Sequence, residues 1–200
     1  MFIKRTFDLI ISIAALAVLS PVLLIVAVIV KIDSKGPAFL KQVRGGKGKK
    51  DFFMYKFRTM RVDTPQLPTV MLKNSEQYIT RVGKVLRKLS LDELPQLFNV
   101  LKGDMSLIGP RPVIKKEIDL IQLRDRYGAN DVRPGITGWA QVNGRDELTN
   151  DFKAYYDGEY VKNMSLVFDL KICFYSVYYV VARKGIHEGE IIPEQQEKDA

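Results

Sequence analysis

The feature that most constrains this chain is an almost wholly apolar segment that runs from Phe7 to Val30. A helix of about 20 apolar residues is long enough to cross the roughly 30 Å hydrocarbon core of a bilayer. Ser20 and Pro21 stand near the middle of the segment, and a proline inside a helix bends or breaks it. The segment therefore predicts a membrane-associated chain and poses the question of whether its helix crosses the bilayer.

Basic residues flank both ends of the apolar segment: Lys4 and Arg5 precede it, and Lys31 and Lys35 follow it. Lysine and arginine concentrate on the cytoplasmic side of membrane proteins. A straight span would carry one basic flank to the opposite side, whereas a helix that turns back keeps both flanks on the cytoplasmic side. The charges therefore predict a re-entrant, monotopic helix-hairpin over residues 1–33, broken at Ser20-Pro21.

Each half of the predicted hairpin would reach about halfway into the bilayer, because about 10 to 13 residues at 1.5 Å each span roughly 15–20 Å. Pro21 has no N–H, so the carbonyl four residues earlier needs another donor inside lipid. The Ser20 hydroxyl is the predicted donor, since serine can bond to the backbone of the preceding turn. The alternatives are a kinked transmembrane anchor and an uncleaved signal sequence, for which the apolar run is too long.

The chain is basic, with a formal net charge of +8 over 200 residues. Eight lysines and arginines fall between Lys41 and Arg61, against the single acid Asp51. A basic cluster directly after a membrane segment suits the anionic lipids of the cytoplasmic leaflet. No nucleic-acid-binding motif accompanies the cluster, so we expect membrane lipids rather than nucleic acid as its partner.

The rest of the chain predicts an α+β, predominantly helical fold in one small cytoplasmic domain over residues 34–186, followed by an acidic, polar tail over 187–200. Two short strands are expected around Ala38–Val43 and Phe52–Phe57. Helices are expected over residues 77–89, 91–101, 113–126, 151–160 and 165–183. The last helix is apolar and aromatic, which predicts core packing or, alternatively, a position in the membrane interface.

Cysteine and histidine are too rare to build a disulfide framework or a transition-metal cluster, because Cys173 and His187 are the only ones. Any metal ion should therefore be a hard cation held by carboxylate oxygens. His187 falls in the tail and is expected to be non-catalytic. Trp139 is expected to be a packing or interfacial aromatic rather than a platform on which a base stacks.

The acidic pair Asp92-Glu93 is the centre of the predicted site. Ser90 and Glu93 have the spacing of a capping box, which by itself predicts only the start of a helix. Pro95 follows within the first turns, where it removes the hydrogen bond to the Leu91 carbonyl. We therefore expect an irregular turn at the acidic pair, which is more usual for a functional site than for a plain helix.

Arginines recur in short motifs that surround this pair in the sequence. They are Arg58 in KFRTM, Arg87 in RKLS, Arg111 in GPRP, Arg133 in VRPG and Arg145 in NGR. Each arginine alone is more often an exposed or ion-paired surface residue. Several of them beside two carboxylates suggest a pocket for phosphate groups, since a planar guanidinium binds phosphate bidentately. A divalent cation would let carboxylates and phosphates share that pocket without mutual repulsion.

Three sequence stretches carry a family resemblance: SLDELPQLFNVLKGDMSLIGPRP, YKFRTM and VRPGITGWAQVNGR. They resemble the bacterial sugar transferases, the monotopic phosphoglycosyl transferases. The resemblance extends from Phe2 to about Gly185, and the chain is similar in length to the minimal members of the family. It implies a re-entrant N-terminal helix broken at a Ser-Pro pair, and it favours a catalytic role for Asp92 over a capping box.

The resemblance implies an enzyme that moves a sugar 1-phosphate from a UDP-sugar to undecaprenyl phosphate and releases UMP. Asp92 would be the nucleophile and form a covalent phosphosugar intermediate. Glu93 would position or deprotonate the acceptor, or help Asp92 to hold Mg²⁺. Arg58, Arg87, Arg111 and Arg145 would bind phosphates or uridine, whereas Arg133 is assigned to loop structure.

The product would start a lipid-linked glycan at the cytoplasmic face of the bacterial inner membrane, in polysaccharide biosynthesis or protein glycosylation. The alternative from another class is a non-enzymatic membrane adaptor, for which no UMP release is predicted. A polytopic transferase would need many membrane spans, which a single hydrophobic hairpin does not supply. The sequence does not choose the sugar, or between a monomer and a homodimer.

Overall fold

A computed structural model describes residues 2–65, 75–144 and 147–182 of the chain, and within these ranges it contains seven α-helices and four short strands. The elements are α1 (Phe2–Asp33), β1 (Phe39–Gly45), β2 (Asp51–Phe57), α2 (Arg81–Lys88), α3 (Gln96–Lys102), β3 (Ser106–Ile108), α4 (Ile118–Asp125), β4 (Gly135–Thr137), α5 (Trp139–Val142), α6 (Asn150–Lys162) and α7 (Leu166–Ala182). The predicted α+β, predominantly helical fold is confirmed. The tail over 187–200, with His187, lies outside the described residues.

Helix α1 is continuous and contains Pro21 in its interior, so the predicted interruption of the helix at Ser20-Pro21 is not found. The Ser20 hydroxyl donates to the Ala17 carbonyl at 3.0 Å, which is the carbonyl that Pro21 leaves without its usual N–H donor. This predicted hydrogen bond is confirmed. It supplies the physical reason for the continuity of α1, because the freed backbone acceptor is satisfied within the helix itself.

One face of α1 packs on the rest of the chain and the other faces are bare. Its buried residues lie about one or about three helical turns apart and therefore on one face; they are Asp8, Ser12, Leu23, Val26 and Val30. Only 11% of its most apolar 18-residue window is buried, and by length and composition the helix could cross a membrane. The exposed apolar side chains include Phe7, Ile10, Ile11, Val18, Leu24, Ile25, Val28 and Ile29.

Both ends of α1 are bonded to the same domain. Near the N-terminal end, Lys4 Nζ donates to Asp169 Oδ2 at 2.7 Å, and Ser106 Oγ donates to Asp8 Oδ2 at 2.8 Å. At the C-terminal end, the Val82 N–H donates to Asp33 Oδ2 at 3.2 Å. In the C-terminal half of the helix, Leu23, Val26 and Val30 pack with Phe57 and Leu86. The helix is therefore held to the domain at its two ends.

The strands form two separate two-stranded sheets. Strands β1 and β2 are antiparallel, with Leu40 opposite Lys56, Gln42 opposite Met54 and Arg44 opposite Phe52. Strands β3 and β4 are parallel, with Ser106 opposite Gly135. Met54 anchors the hairpin to a buried cluster with Val100 and Met105. The predicted hairpin is confirmed, with strands slightly longer than expected.

The C-terminal helix α7 has one packed face and one exposed face. Ile172 is fully buried, in a cluster with Tyr160 against which Trp139 packs. Trp139 lies 5.0 Å from the Phe168 ring centroid, so its predicted packing role is confirmed. The opposite face exposes Val167, Leu170, Phe174, Val177 and Tyr178.

The junction between α2 and α3 differs from the two simple helices that the periodicity predicts. The chain turns at Ser90 in the left-handed region (φ 54°, ψ 21°), passes through a single 3₁₀ turn over Leu91–Glu93 and enters α3 after Pro95. The Ser90 side chain makes no capping hydrogen bond, so the capping box is not formed. The irregular turn predicted from Pro95 is confirmed, because proline cannot continue a regular helix across this junction.

The left-handed backbone at Ser90 predicts an unusual order of stability for substitutions. We expect Ser90→Gly to stabilise the fold by up to about 1 kcal/mol, because glycine pays no steric penalty at positive φ. We expect Ser90→Thr and Ser90→Val to destabilise it by about 1–3 kcal/mol, because a β-branched residue is strained there. Chemical denaturation of the detergent-solubilised protein measures this order. A Ser90→Thr variant as stable as the parent, with Ser90→Gly less stable, would indicate a capping box instead.

A buried ion pair between α4 and α6 yields a second stability prediction. Arg124 Nε donates to Asp157 Oδ2 at 2.7 Å, and both side chains are almost fully buried. We expect Arg124→Met to lower the free energy of unfolding by about 3–5 kcal/mol, because it leaves an uncompensated buried carboxylate. The double variant Arg124→Met/Asp157→Leu should recover much of that loss. The control Arg61→Met breaks an exposed pair with Asp63 and should leave the denaturation midpoint unchanged; equal losses in both single variants would contradict the prediction.

Candidate active site

The acidic pair lies in the 3₁₀ turn between α2 and α3, with different environments for its two carboxylates. Asp92 is only 8% exposed. Burial raises the pKa of Asp92 above its usual range; Lys56, Arg87 and Arg111 act in the opposite direction, and Glu93 adds to the rise. Asp92 is thus a desolvated carboxylate within electrostatic reach of three cations, an arrangement that is frequent at catalytic sites.

Glu93 is held by two cations that come from different parts of the chain. Its Oε1 accepts from Lys56 Nζ at 2.9 Å and from Arg111 Nη2 at 3.1 Å. The side chains of Lys56 and Glu93 are 15% and 14% exposed, whereas that of Arg111 is 45% exposed. Hydrogen bonds between ionised groups are about twice as strong as neutral ones, so this three-residue cluster fixes the carboxylate while leaving part of Arg111 open to solvent.

Lys56 is the site residue that the sequence reasoning missed. It lies near the end of β2 in the KFRTM stretch, two residues before Arg58. A signal was present, because Lys56 stands in a predicted strand between the aromatic residues Tyr55 and Phe57. A lysine that becomes buried in such a strand requires an anionic partner. The sequence alone did not say that this partner is Glu93.

The structure distributes the predicted arginines unequally around the acidic pair. Arg87 lies in the last turn of α2, and its charge acts on Asp92 together with that of Arg111. Helix α2 is brought close to the chain beyond β2 by Gly83, where a Cβ atom would lie 2.1 Å from the Thr59 carbonyl oxygen. Arg145 lies outside the described residues. Two of the four predicted substrate-binding arginines are therefore close to Asp92 in the described structure.

Arg58 and Arg133 bind backbone carbonyls instead. Arg58 is 5% exposed, and its Nη2 donates to the Ser34 carbonyl at 2.7 Å and to the Ser34 hydroxyl at 2.9 Å. It clamps the chain just after α1. Arg133 Nε donates to the Gly103 carbonyl at 2.9 Å, in agreement with its assignment to loop structure. Strand β2 ends at Phe57. Arg58 lies beyond the strand and therefore does not follow the alternation of side chains that would place it on the same side as Lys56.

The loop that presents Arg111 is fixed from two sides. Arg124 Nη1 donates to the Arg111 carbonyl at 2.9 Å, and the Gly45 N–H donates to the Val113 carbonyl at 2.9 Å. Arg124 is itself anchored by the buried Asp157. The backbone at Arg111 is therefore held by helix α4 and by the end of strand β1, while its side chain is partly exposed to solvent.

The donor set of the acidic pair fits a hard divalent cation. Within the described ranges, no group of three or more His, Cys, Asp or Glu side chains is placed to hold a metal ion. Two adjacent carboxylates remain, and Mg²⁺ is usually held by one or two carboxylates together with water and substrate phosphates. The chemistry of these two side chains is compatible with such an ion.

Comparison with known proteins identifies relatives of the chain. The model of a family described as "Bacterial sugar transferase" matches residues 1–183. An uncharacterized sugar transferase of Bacillus subtilis, EpsL, is 42% identical over 188 residues, which cover 94% of this chain and 92% of that protein.

Two further relatives carry the name of a reaction. The UDP-N-acetylgalactosamine-undecaprenyl-phosphate N-acetylgalactosaminephosphotransferase of Aeromonas hydrophila is 42% identical over 189 residues, covering 92% of this chain and 45% of that protein. The undecaprenyl-phosphate galactose phosphotransferase of Salmonella typhimurium is 40% identical over 207 residues, covering 93% of this chain and 42% of that protein. The chain spans less than half the length of these two relatives. With its acidic pair and basic loop in place, and with the family model matched over nearly all of its length, the chain belongs to the bacterial sugar transferase family.

Proposed function

We propose that the chain is a phosphoglycosyl transferase that moves a sugar 1-phosphate from a UDP-sugar to undecaprenyl phosphate. The observation that carries the proposal is the pairing of a buried Asp92 with a Glu93 held by Lys56 and Arg111. The relatives named for transfer of sugar phosphates to undecaprenyl phosphate support the substrate classes. Both substrates are anionic, and the cations around the acidic pair suit their phosphates.

The first step is attack by an Asp92 carboxylate oxygen on the phosphorus that bears the sugar. An aspartyl O–P bond forms while the P–O bond to the nucleotide breaks, and UMP leaves with the electron pair. Because Asp92 is buried, few waters surround its carboxylate, and few must be removed before it attacks. Lys56 and Arg111 stand beside the pair, where they lower the charge repulsion between a carboxylate and an incoming diphosphate.

The second step transfers the sugar phosphate to the lipid. A phosphate oxygen of undecaprenyl phosphate attacks the same phosphorus, the aspartyl O–P bond breaks, and Asp92 returns to the carboxylate form. The product is a polyprenyl diphosphate sugar. Division into two steps lets one site meet two anionic substrates in succession rather than together.

Glu93 and Mg²⁺ complete the proposed site. Asp92 and Glu93 would hold Mg²⁺, which supplies neutralising charge to the phosphates when it is bound. Glu93 is kept in one orientation by Lys56 and Arg111. In that orientation it positions the phosphates relative to Asp92.

The membrane placement is proposed from the attachment of α1. Lys4 and Asp33, near its two ends, both contact the same domain. A helix that crossed the bilayer completely would carry one of these ends away from the domain. We therefore propose a monotopic protein whose α1 enters and leaves the membrane on the cytoplasmic face of the bacterial inner membrane, with the exposed apolar side chains of α1 in contact with lipid. This placement brings the acidic pair to a lipid-borne phosphate.

Replacement of the nucleophile tests the chemistry. We expect Asp92→Asn to reduce turnover at least about 10³-fold with the fold retained, because an amide cannot form the acyl phosphate. Incubation with a UDP-sugar without acceptor should add one phosphosugar mass to the parent protein and none to the variant, as measured by intact-protein mass spectrometry. Asp63→Asn, in an exposed loop pair with Arg61, is the matched control and should form the adduct normally. A parent protein that transfers sugar phosphate without forming any adduct would contradict the covalent route.

Site-directed labelling tests the topology. Ile3→Cys and Lys35→Cys place exposed thiols beyond the two ends of the apolar segment, each in a Cys173→Ser background. We expect a membrane-impermeant maleimide to label both thiols in inside-out vesicles and neither in intact spheroplasts, because both helix ends are proposed to lie in the cytoplasm. Labelling of the two positions from opposite sides would instead establish a complete membrane span.

A further inference from the structure

A third basic residue, Arg44, lies on the same face of the β-hairpin as Lys56. In an antiparallel pair, the side chains of two directly opposite residues point to the same face of the sheet. Along one strand, the side chain of every second residue points to that face. Leu40 is opposite Lys56, and Arg44 is opposite Phe52. Lys56 and Arg44 therefore stand on one face of the hairpin, about 13 Å apart along it, with the Lys56 end at Glu93.

Arg111 connects these two ends of the hairpin face. Its side chain reaches Glu93, while its chain segment is bonded to the residue that follows Arg44 through the Gly45 N–H and the Val113 carbonyl. A Cβ atom on Gly45 would lie 3.3 Å from Val113 Cγ2, so the two segments pack closely. Lys56, Arg111 and Arg44 thus form a row of cations that starts at the acidic pair.

The Arg44 guanidinium is oriented by the protein but makes no salt bridge among the described residues. Its Nη2 donates to Gln42 Oε1 at 2.8 Å, and its Nε is buried without a hydrogen-bond partner in the described structure. The nearby Glu117 carboxylate accepts instead from the Ile114 N–H at 2.7 Å. Burial and the neighbouring Arg111 lower the pKa of Arg44 to about 10, although the carboxylates of Glu117 and Glu93 act in the opposite direction. A partly desolvated guanidinium beside another guanidinium is unfavourable unless an anion joins them.

We propose that Arg44, with Arg111, binds the phosphate of the donor that stays with the nucleotide and leaves as UMP. This proposal rests on the proposed function, since it assigns the second phosphate of the same UDP-sugar. With the sugar-bearing phosphorus at Asp92, beside Lys56, the second phosphate extends along the row towards Arg44. There the two guanidinium groups stabilise the negative charge that develops on the leaving phosphate. Gln42 positions Arg44 and does not itself contact the donor.

Binding of UMP to the detergent-solubilised protein tests the proposal without requiring turnover. We expect Arg44→Gln to raise the UMP dissociation constant at least tenfold in isothermal titration calorimetry, because it removes one charged partner of the phosphate. Arg44→Lys should raise it less, about threefold to tenfold, because the charge remains and the bidentate geometry is lost. The control Arg126→Gln removes an exposed arginine at the end of α4 and should leave UMP binding within twofold of the parent.

Separate measurement of the two half-reactions distinguishes a contact between Arg44 and the leaving phosphate from a purely structural role of Arg44. In Arg44→Gln, formation of the phosphosugar adduct should slow at least tenfold, whereas transfer from a preformed adduct to undecaprenyl phosphate should stay within twofold of the parent. Equal slowing of both half-reactions, UMP affinity unchanged in Arg44→Gln, or no UMP binding to the parent at millimolar concentration would overturn the assignment. If Arg44→Gln does not fold, the same comparisons on Arg44→Lys decide. A parent protein that binds UMP through Arg44 but never transfers sugar phosphate would instead refute the proposed function alone.

Discussion

The ion cluster around Glu93 is the interaction on which the arrangement of this site depends. Lys56 comes from β2, Arg111 from the loop after β3, and Glu93 from the turn between α2 and α3. Three segments that are distant in sequence meet at a single carboxylate oxygen. Because the Lys56–Glu93 contact is largely shielded from water, breaking it would leave a poorly solvated charge. The cluster therefore holds the hairpin, the basic loop and the acidic turn in one relative position.

The same hairpin links the site to the apolar helix α1. Phe57, one residue after Lys56, is buried against Val26, Val30 and Leu86, and Arg58 clamps Ser34 just beyond α1. Lys56 contacts Glu93, Phe57 packs on α1, and Arg58 binds the residue just beyond α1, so three consecutive residues connect the acidic pair to the end of α1. A short, packed connection of this kind keeps the site at a set distance from the apolar helix.

Local signals in the sequence predicted the features whose causes are themselves local. The hairpin followed from two short strands around a glycine-rich turn, and the irregular acidic turn followed from Pro95. The Ser20 hydrogen bond to Ala17 followed from the absence of an N–H at Pro21. The capping box was a wrong alternative, because its spacing is also compatible with a left-handed Ser90. The helix break was not found, because one side-chain hydroxyl satisfies the freed carbonyl.

Composition, periodicity and adjacent residues are enough to predict the apolar helix, the fold class, the acidic pair and the supply of arginines. Tertiary contacts, by contrast, set which cations lie beside the pair. Lys56 and Glu93 are 37 positions apart, and no local rule connects them. Tertiary packing also directed Arg58 to a backbone carbonyl and aligned Arg44 with Lys56 on one hairpin face. Strand register and strand ends control those directions, and both depend on contacts between distant parts of the chain.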